Sequence, residues 1–274
     1  MKAATRARVA ALQMTSGPDV AANLAVARSL LKQAAAEGAQ VAVLPENFSF
    51  FGLKSVDKRA VAEADGDGPA QEFLASQARD LRLWIVGGTV PIVVTAGGPV
   101  AAACLVYRDD GSRAGRYDKI HLFDVDIPGR SESYRESADI TRGTRPVLVP
   151  TPAGLLGLSV CYDMRFPELY RSLSAAGAQW LSIPSSFTVP TGQAHWETLL
   201  RARAIENLSY VVAAAQWGRH ANGRVTYGDA LIVDYWGRIL GRRPDGAGVV
   251  VAEFDLAAQA ETRRNFPALT HRVL

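Results

Sequence analysis

The stretch LLGLSVCYDMRFPELYR, residues 155–171, decides the fold. Its first part, Leu155–Cys161, is an apolar run of strand length. Shortly after it, Pro167 stands where proline is tolerated, in the first turn of a helix that apolar spacing carries to Gly177. A buried strand that passes through a short turn into a helix is half of a parallel β–α–β unit. The turn leaves Cys161 at the strand's end, where a nucleophile can be exposed beside backbone N–H groups that bind an oxyanion. The other reading makes Cys161 a small buried hydrophobe that closes the strand. The stretch alone leaves both open.

On either side of it, apolar runs of similar length occur at Arg8–Met14, Gln40–Leu44, Trp84–Val94, Val100–Tyr107, Gln179–Ile183, Tyr210–Gln216, Ala230–Asp234 and Val249–Phe254. Helical segments alternate with them, with apolar residues at spacings of three and four. They cover Asp19–Glu37, Pro69–Leu81, Pro167–Gly177, Gly192–Leu208 and Leu256–Arg263, and Ala and Leu favour helix in all of them. Strand–helix–strand alternation predicts parallel pairing, and the hairpin-like run from Trp84 to Tyr117 adds antiparallel strands. The expected fold is mixed α/β with more than one sheet. Irregular sequence lies at Phe48–Lys58 and Leu122–Arg145, and in α/β proteins loops at strand ends are where sites are built. Glu46, Lys119 and Cys161 each fall at or just past the end of a strand-like run.

Composition narrows the class. The chain has 274 residues, 48% of them hydrophobic and 21% charged, enough apolar side chains for a sizeable core. Length allows one large domain or two small ones, and no linker is visible, so residues 1–274 read as a single domain. The formal net charge is only +3 and the basic residues are scattered, which argues against a nucleic-acid surface. No apolar stretch is long enough to span a bilayer, and the apolar part of MKAATRARVAALQMTSG is too short for a signal-peptide core. Two cysteines make no disulfide framework and read as reduced thiols. A soluble cytoplasmic protein that binds neither membrane nor nucleic acid is expected.

A cysteine nucleophile needs a group to form its thiolate, usually a histidine. His121, His195, His220 and His271 sit in no motif of that kind, and no cluster has metal-ligand spacing. Cys104, inside VAAACLVY, reads as core. A carboxylate base with a lysine is the other route to acyl chemistry. Glu46 follows a buried-looking strand and a proline in VAVLPENFSF, where a desolvated carboxylate suits general acid–base work. A loop carboxylate facing water is its plainer reading. Lys119 lies in RYDKIHLFD, flanked by apolar residues that make an unpaired ammonium costly. Its plainer reading is a snorkelling surface lysine.

Taken together, LPENF, RYDKIHLFDVDIPG and GLSVCYDMRFPELYR, in that order, resemble the nitrilase superfamily of carbon–nitrogen hydrolases. The resemblance runs from ALQM near the start to YGDALIVDYWGRIL near the end. It implies a four-layer α-β-β-α sandwich, usually paired back to back as a homodimer or larger, with no metal or organic cofactor. It implies a Glu–Lys–Cys triad at Glu46, Lys119 and Cys161. A second family glutamate maps onto Glu136 in SYRESADITRG, with Glu132 as the alternative. The chemistry implied is hydrolysis of a small amide through a Cys161 thioester, with Lys119 and the Tyr162 backbone N–H on the oxyanion.

The downstream string IPSSFTVPTGQAHWETLLRARAIENLSYVVAAAQWGRH resembles the Nit group of amidases, whose substrates carry an α-keto carboxylate on the acyl side. Some members hydrolyse α-ketoglutaramate, others remove a keto-acyl group from cysteinylglycine. AAAQWGRH and HLFDVDIPG look more like the second kind, although Trp217 stands where a smaller residue is expected. A planar guanidinium binds a carboxylate through two parallel hydrogen bonds. Arg165 matches the family position for such a contact, with a structural ion pair to Asp163 or Glu168 as its alternative. Phe187 and Thr191 match pocket positions. His195 and Trp196 are expected to open a helix as packing residues, Arg201 and Arg203 to lie on its solvated or interface face. Arg219 and His220 are candidates for contacting the leaving portion. Carbamoylase or aliphatic amidase activity are the rival enzymatic readings, and a silent binding protein the rival of another class.

Overall fold

Alternate residues along the central strands point into different cores, and this period of two sets up the layers. The structure, a computed structural model, describes residues 5–127, 129 and 132–273. In β1 (Arg6–Met14) and β2 (Val41–Leu44), Val9, Ala11, Val41 and Val43 enter one core while Ala10, Leu12, Ala42 and Leu44 enter another. The second core is closed by α1 (Val20–Ala36), through Leu30 and Leu31, and by α2 (Pro69–Leu81), through Phe73 and Leu74. Asp19 caps α1 by accepting from the Ala22 N–H, and Pro69 opens α2.

Further strands follow at β3 (Trp84–Gly87), β4 (Val90–Val93), β5 (Val100–Tyr107), β6 (Arg113–Asp118), β7 (Asp124–Asp126), β8 (Ser133–Arg135), β9 (Leu148–Thr151) and β10 (Gly154–Leu158). The second half contains α3 (Pro167–Ala175), β11 (Trp180–Ser182), α4 (Val189–Asn207), β12 (Tyr210–Ala213), β13 (Ala215–Arg219), β14 (Val225–Tyr227), β15 (Ala230–Val233), β16 (Ile239–Arg243), β17 (Gly248–Asp255) and α5 (Leu256–Asn265). Among the described residues, one sheet has nine strands, running β14-β13-β1-β2-β3-β5-β4, with β17 on β1 and β6 on β5. The other has six, in the order β16-β15-β12-β11-β10-β9. Both have parallel centres: β13, β1, β2 and β3 in the first, β10, β11 and β12 in the second.

The core around Val9 and Val43 continues into the six-stranded sheet through Leu158, Val211 and Leu231. It then reaches α3 and α4 through Leu173, Trp196 and Leu200. Layers therefore run α1 and α2, nine-stranded sheet, six-stranded sheet, α3 and α4: the four-layer α-β-β-α sandwich. No helix of the described residues is long and apolar enough to cross a membrane.

The structure corrects several sequence boundaries. The run Trp84–Val94 breaks into β3 and β4 at Gly88, whose φ is +47°. A Cβ there would lie 2.0 Å from the Pro45 carbonyl oxygen, so only glycine lets this turn pass beside the segment carrying Glu46. The run Tyr210–Gln216 is two strands, β12 in one sheet and β13 in the other, because the chain crosses between sheets at Ala214 without leaving the interior. The strand expected to end at Cys161 ends at Leu158, and Cys161 opens a 3-10 turn, Cys161–Arg165, with φ +50°. Helix α4 begins at Val189 rather than Gly192, which puts His195 and Trp196 inside it. Part of the irregular segment 122–145 forms the β7–β8 hairpin, and its residues 128, 130 and 131 lie outside the described residues.

Candidate active site

Three loops bring the ionisable groups together. Glu46 lies just beyond β2, its backbone carbonyl accepting from Gln216 Nε2 at 3.0 Å and the next N–H, of Asn47, donating to Thr89 Oγ1 at 2.8 Å. Lys119 follows β6 directly and is 1% exposed. Its Nζ donates to Glu46 Oε1 at 2.8 Å and to both oxygens of Glu136 at 2.9 and 2.8 Å. Glu136 opens a 3-10 turn after β8 and also accepts from the Phe123 N–H at 2.7 Å. Glu132 instead accepts from the Tyr134 hydroxyl at 2.8 Å, so the second carboxylate on Lys119 is that of Glu136. Neither Glu46 nor Lys119 faces water as its plainer reading required.

One buried carboxylate ties the lysine segment to the cysteine turn. Asp163, fully buried, accepts from the Tyr117 hydroxyl at 2.6 Å and from the His121 N–H at 3.0 Å, on either side of Lys119. It also accepts from the Val160 N–H at 2.8 Å, and its Oδ1 lies 2.7 Å from His121 Nδ1. On the other flank, buried Arg203 donates from Nε to the Met164 carbonyl at 2.9 Å and pairs with Glu206 at 2.7 Å. The expectation that Arg203 lies on a solvated or interface face is corrected: α4 packs this side against the cysteine turn within the chain, while Arg201 remains exposed.

The electrostatics follow from burial. Removal from water pushes the Cys161 thiol up. The Glu46 carboxylate pushes it further, against the opposing pull of Lys119 and the Ser186 N–H. Burial alone would lower the Lys119 ammonium, but Glu136, Glu46 and Cys161 hold it well above the usual lysine range. Burial would raise Glu136, and Lys119 and Lys58 outweigh it and hold that carboxyl down. The resting site is therefore a neutral thiol beside a charged lysine clamped between carboxylates. Such a site can pass a proton from sulfur to carboxylate as the sulfur attacks, and can hold a positive charge against a developing oxyanion.

These groups open onto a cleft of about 330 Å³. Glu46, Lys119, Glu136, Cys161, Tyr162, Arg165, Phe187 and Thr191 all line it. The Arg165 guanidinium lies 5.7 Å from the Tyr162 ring centre and 5.4 Å from that of Phe187, with Nη1 3.3 Å from His195 Nδ1. It pairs with neither Asp163 nor Glu168. Thr191 Oγ1 shares a 2.8 Å hydrogen bond with Thr188 Oγ1, and Phe187 packs on buried Trp196. Trp217, Arg219 and His220 do not line the cleft. His220 is buried behind it, stacked on Phe51 at 3.9 Å, and its ring nitrogens contact the Ser16 carbonyl and Thr226 Oγ1, both at 2.8 Å. Burial lowers its pKa, so it packs as a neutral ring.

Sequence reasoning missed Lys58, Arg224 and Asn222, which do line the cleft. Asn222-Gly223 in the β13–β14 turn is a hairpin signal that could have placed a loop there, but nothing local aims Arg224 inward. Six cationic side chains (Lys54, Lys58, Lys119, Arg135, Arg165 and Arg224) line the cleft against the carboxylates of Glu46 and Glu136. Such an excess favours an anionic ligand. Among the described residues no cluster of His, Cys, Asp and Glu could hold a metal ion.

Comparison with known proteins matches residues 8–264 to the family described as carbon-nitrogen hydrolase. The chain is 40% identical over 266 residues to a protein of Yersinia enterocolitica named deaminated glutathione amidase, covering 97% of this chain and 92% of that one. It is 42% identical over 268 residues to a protein of the same name from Synechocystis, covering 96% and 97%. Among solved structures, the NitFhit protein of C. elegans superposes with a TM-score of 0.90 at 38% identity, over 98% of this chain and 65% of that longer one. A variant of the amidase from Nesterenkonia sp. AN1, which carries the Michael addition of acrylamide at its active site cysteine, superposes with a TM-score of 0.79 at 27% identity, over 95% and 99%.

Proposed function

This chain belongs to the carbon–nitrogen hydrolase family, and from that premise we propose that it hydrolyses deaminated glutathione to α-ketoglutarate and cysteinylglycine, with Glu46, Lys119 and Cys161 as catalytic residues. One observation carries the reading: the buried Lys119 Nζ bonds Glu46 and Glu136, and the Cys161 thiol lies in the same cleft, close enough to feel the charge of both Glu46 and Lys119. Glu46 takes the thiol proton as Sγ attacks the amide carbon. Negative charge that develops on the carbonyl oxygen meets Lys119 and the Tyr162 N–H. Protonated Glu46 then gives its proton to the leaving amine nitrogen as the C–N bond breaks, leaving a thioester. Water loses a proton to Glu46 as its oxygen attacks the thioester carbon. The acid departs, and the proton on Glu46 returns to Sγ. Glu136 keeps Lys119 charged and in place.

The α-keto carboxylate of the acyl portion fits Arg165, a guanidinium without a carboxylate partner beside Phe187 and Thr191. The same acyl subsite would serve α-ketoglutaramate, which makes that the second reading. Both amides release α-ketoglutarate, so kcat/KM can be compared directly, with Cys161→Ala as control. Preference for deaminated glutathione, lost in the variant, supports the proposal. Preference for α-ketoglutaramate selects the second reading, and turnover of neither rejects both substrates. We read residues 1–274 as one hydrolase domain that pairs with a second copy, for which a light-scattering mass of twice one chain is the test.

A further inference from the structure

The cleft holds a second group of cations that the acyl subsite does not use. Arg165 stacks on Tyr162 and Phe187, whereas the Arg224 guanidinium lies 4.9 Å from the Tyr134 ring centre and 5.5 Å from that of Phe51. These are two different aromatic shelves. Lys58 lines the same cleft and is close enough to Glu136, Glu46 and Arg224 to interact with each electrostatically. Among the described residues, Lys58 Nζ has no hydrogen bond or ion pair. Arg224 Nη2 donates to the Ser186 carbonyl at 2.7 Å, and Nε is buried without a partner. Ser186 itself is 3% exposed, and its Oγ, also in the cleft lining, is buried without a partner.

Two cations in one cleft, one without a hydrogen bond or ion pair and the other beside unpartnered buried polar atoms, are costly in an empty site. The cost is removed by an anion that accepts from both. A planar carboxylate suits the guanidinium fork, with the ammonium as a point charge on its other side. Position decides which end of the substrate this is. The leaving nitrogen must lie toward Glu46, which protonates it, and Lys58 interacts electrostatically with that carboxylate, whereas Arg165 stacks on Tyr162 and Phe187.

We propose that Lys58 and Arg224, the latter on the shelf of Phe51 and Tyr134, form a second carboxylate subsite that holds the free C-terminal carboxylate of a peptide-like leaving group. This rests on the amidase reading above and deepens it: the enzyme selects amides charged at both ends, with Arg165 holding the acyl carboxylate and this pair the other. Each subsite then positions the scissile amide from one side, so binding energy remote from the reacting carbon improves its alignment. An amide that ends at the leaving nitrogen, such as α-ketoglutaramate, leaves the pair unfilled.

The test compares deaminated glutathione with its C-terminal carboxamide, identical on the acyl side, by release of α-ketoglutarate. Wild-type enzyme should lose about tenfold or more in kcat/KM on the carboxamide, chiefly through KM, as expected when one charged contact is removed. Arg224→Gln and Lys58→Met should each shrink that ratio toward one, because the charge that reads the difference is gone. The wild-type ratio needs no variant, so a misfolded substitution does not remove the test. A wild-type ratio near one, or a large ratio unaltered in both folded variants, overturns the subsite and leaves the amidase reading standing. Failure of wild type to cleave either compound overturns the amidase reading for this substrate, and the subsite with it.

Discussion

The Tyr117 hydroxyl donates to Asp163 Oδ2 at 2.6 Å, and this bond joins the strand that leads to Lys119 to the turn that opens with Cys161. The residues on both sides of Lys119 reach the same carboxylate, so lysine and cysteine are held in register by one buried side chain. Asp163→Ala would strand the Tyr117 hydroxyl and the Val160 and His121 N–H groups in the interior. A loss of several kcal/mol is expected, about 1–3 kcal/mol for each donor left unsatisfied in the interior. Asp163→Asn, which keeps the acceptor oxygen, should lose less. Denaturant unfolding of the two variants ranks them, and equal losses would remove Asp163 from this role.

Replacement of Lys119 by Met leaves Glu46 and Glu136 buried with no ammonium between them. Without Lys119 to hold it down, burial raises the Glu136 carboxyl above its unfolded value in the folded variant. Groups raised in this way are bound to more protons in the folded state, so stability falls as pH rises. Lys119→Met should therefore be more stable at pH 5 than at pH 8, by thermal unfolding. A variant with no such slope would contradict the electrostatic account of the site.

Wild type should show the opposite acid limb. The Glu136 carboxyl is held below its ordinary value of 4.5, chiefly by Lys119 against the cost of burial, so its contribution is present above that value and lost as pH falls through the lower folded one. Lys119 is held above 10.5, so its contribution lasts until pH passes its raised folded pKa. The stability difference between wild type and Glu136→Gln is therefore expected to be flat from about pH 5 to 10 and to shrink in acid. A difference that widens below pH 4 would reverse the sign.

Glu46→Gln removes the proton acceptor and donor proposed for both half-reactions. A fall in kcat of about 10²–10⁴-fold is expected for loss of general acid–base catalysis. Cys161→Ala should remove turnover altogether while leaving the fold intact. Intact-mass spectrometry of Glu46→Gln with substrate checks the order of steps: an acyl adduct that persists on Cys161 places the variant's block at thioester hydrolysis, and its absence places it at acylation.

Arg165→Met removes a cation that has no carboxylate partner, so it should alter stability little. On an α-keto carboxylate substrate kcat/KM should fall about 10–100-fold, mostly in KM, as for loss of a charge-assisted contact. An unchanged KM would move the acyl carboxylate elsewhere in the cleft.

Local pattern was sufficient for much of the fold. Pro69–Leu81 reads as a helix on its own spacing and is one, and the alternation of Val41, Ala42, Val43 and Leu44 feeds two cores as period-two burial requires. Where apolar character is continuous, pattern fails: Tyr210–Gln216 is buried from end to end, so no polarity change marks the crossing between sheets. Apolar spacing starts α4 at Gly192, but the helix begins at Val189, and Gly192 lies inside it where the missing side chain lets Tyr227 pack closely.

The site divides in the same way. Glu46, Lys119 and Cys161 could be singled out in the chain because each falls at or just past the end of a strand-like run. That Lys119 meets Glu136 rather than Glu132 is a matter of how the β7–β8 hairpin folds back, and no local residue preference encodes it. Lys58 and Arg224 look like ordinary surface cations in the sequence, one in a short turn and one beside a hairpin. Only the approach of distant segments turns both into the same cleft. Apolar periodicity and turn chemistry are properties of neighbouring residues and so can be read along the chain. The charge balance of a cavity is a property of groups far apart in sequence, and it exists only once packing has removed them from water together.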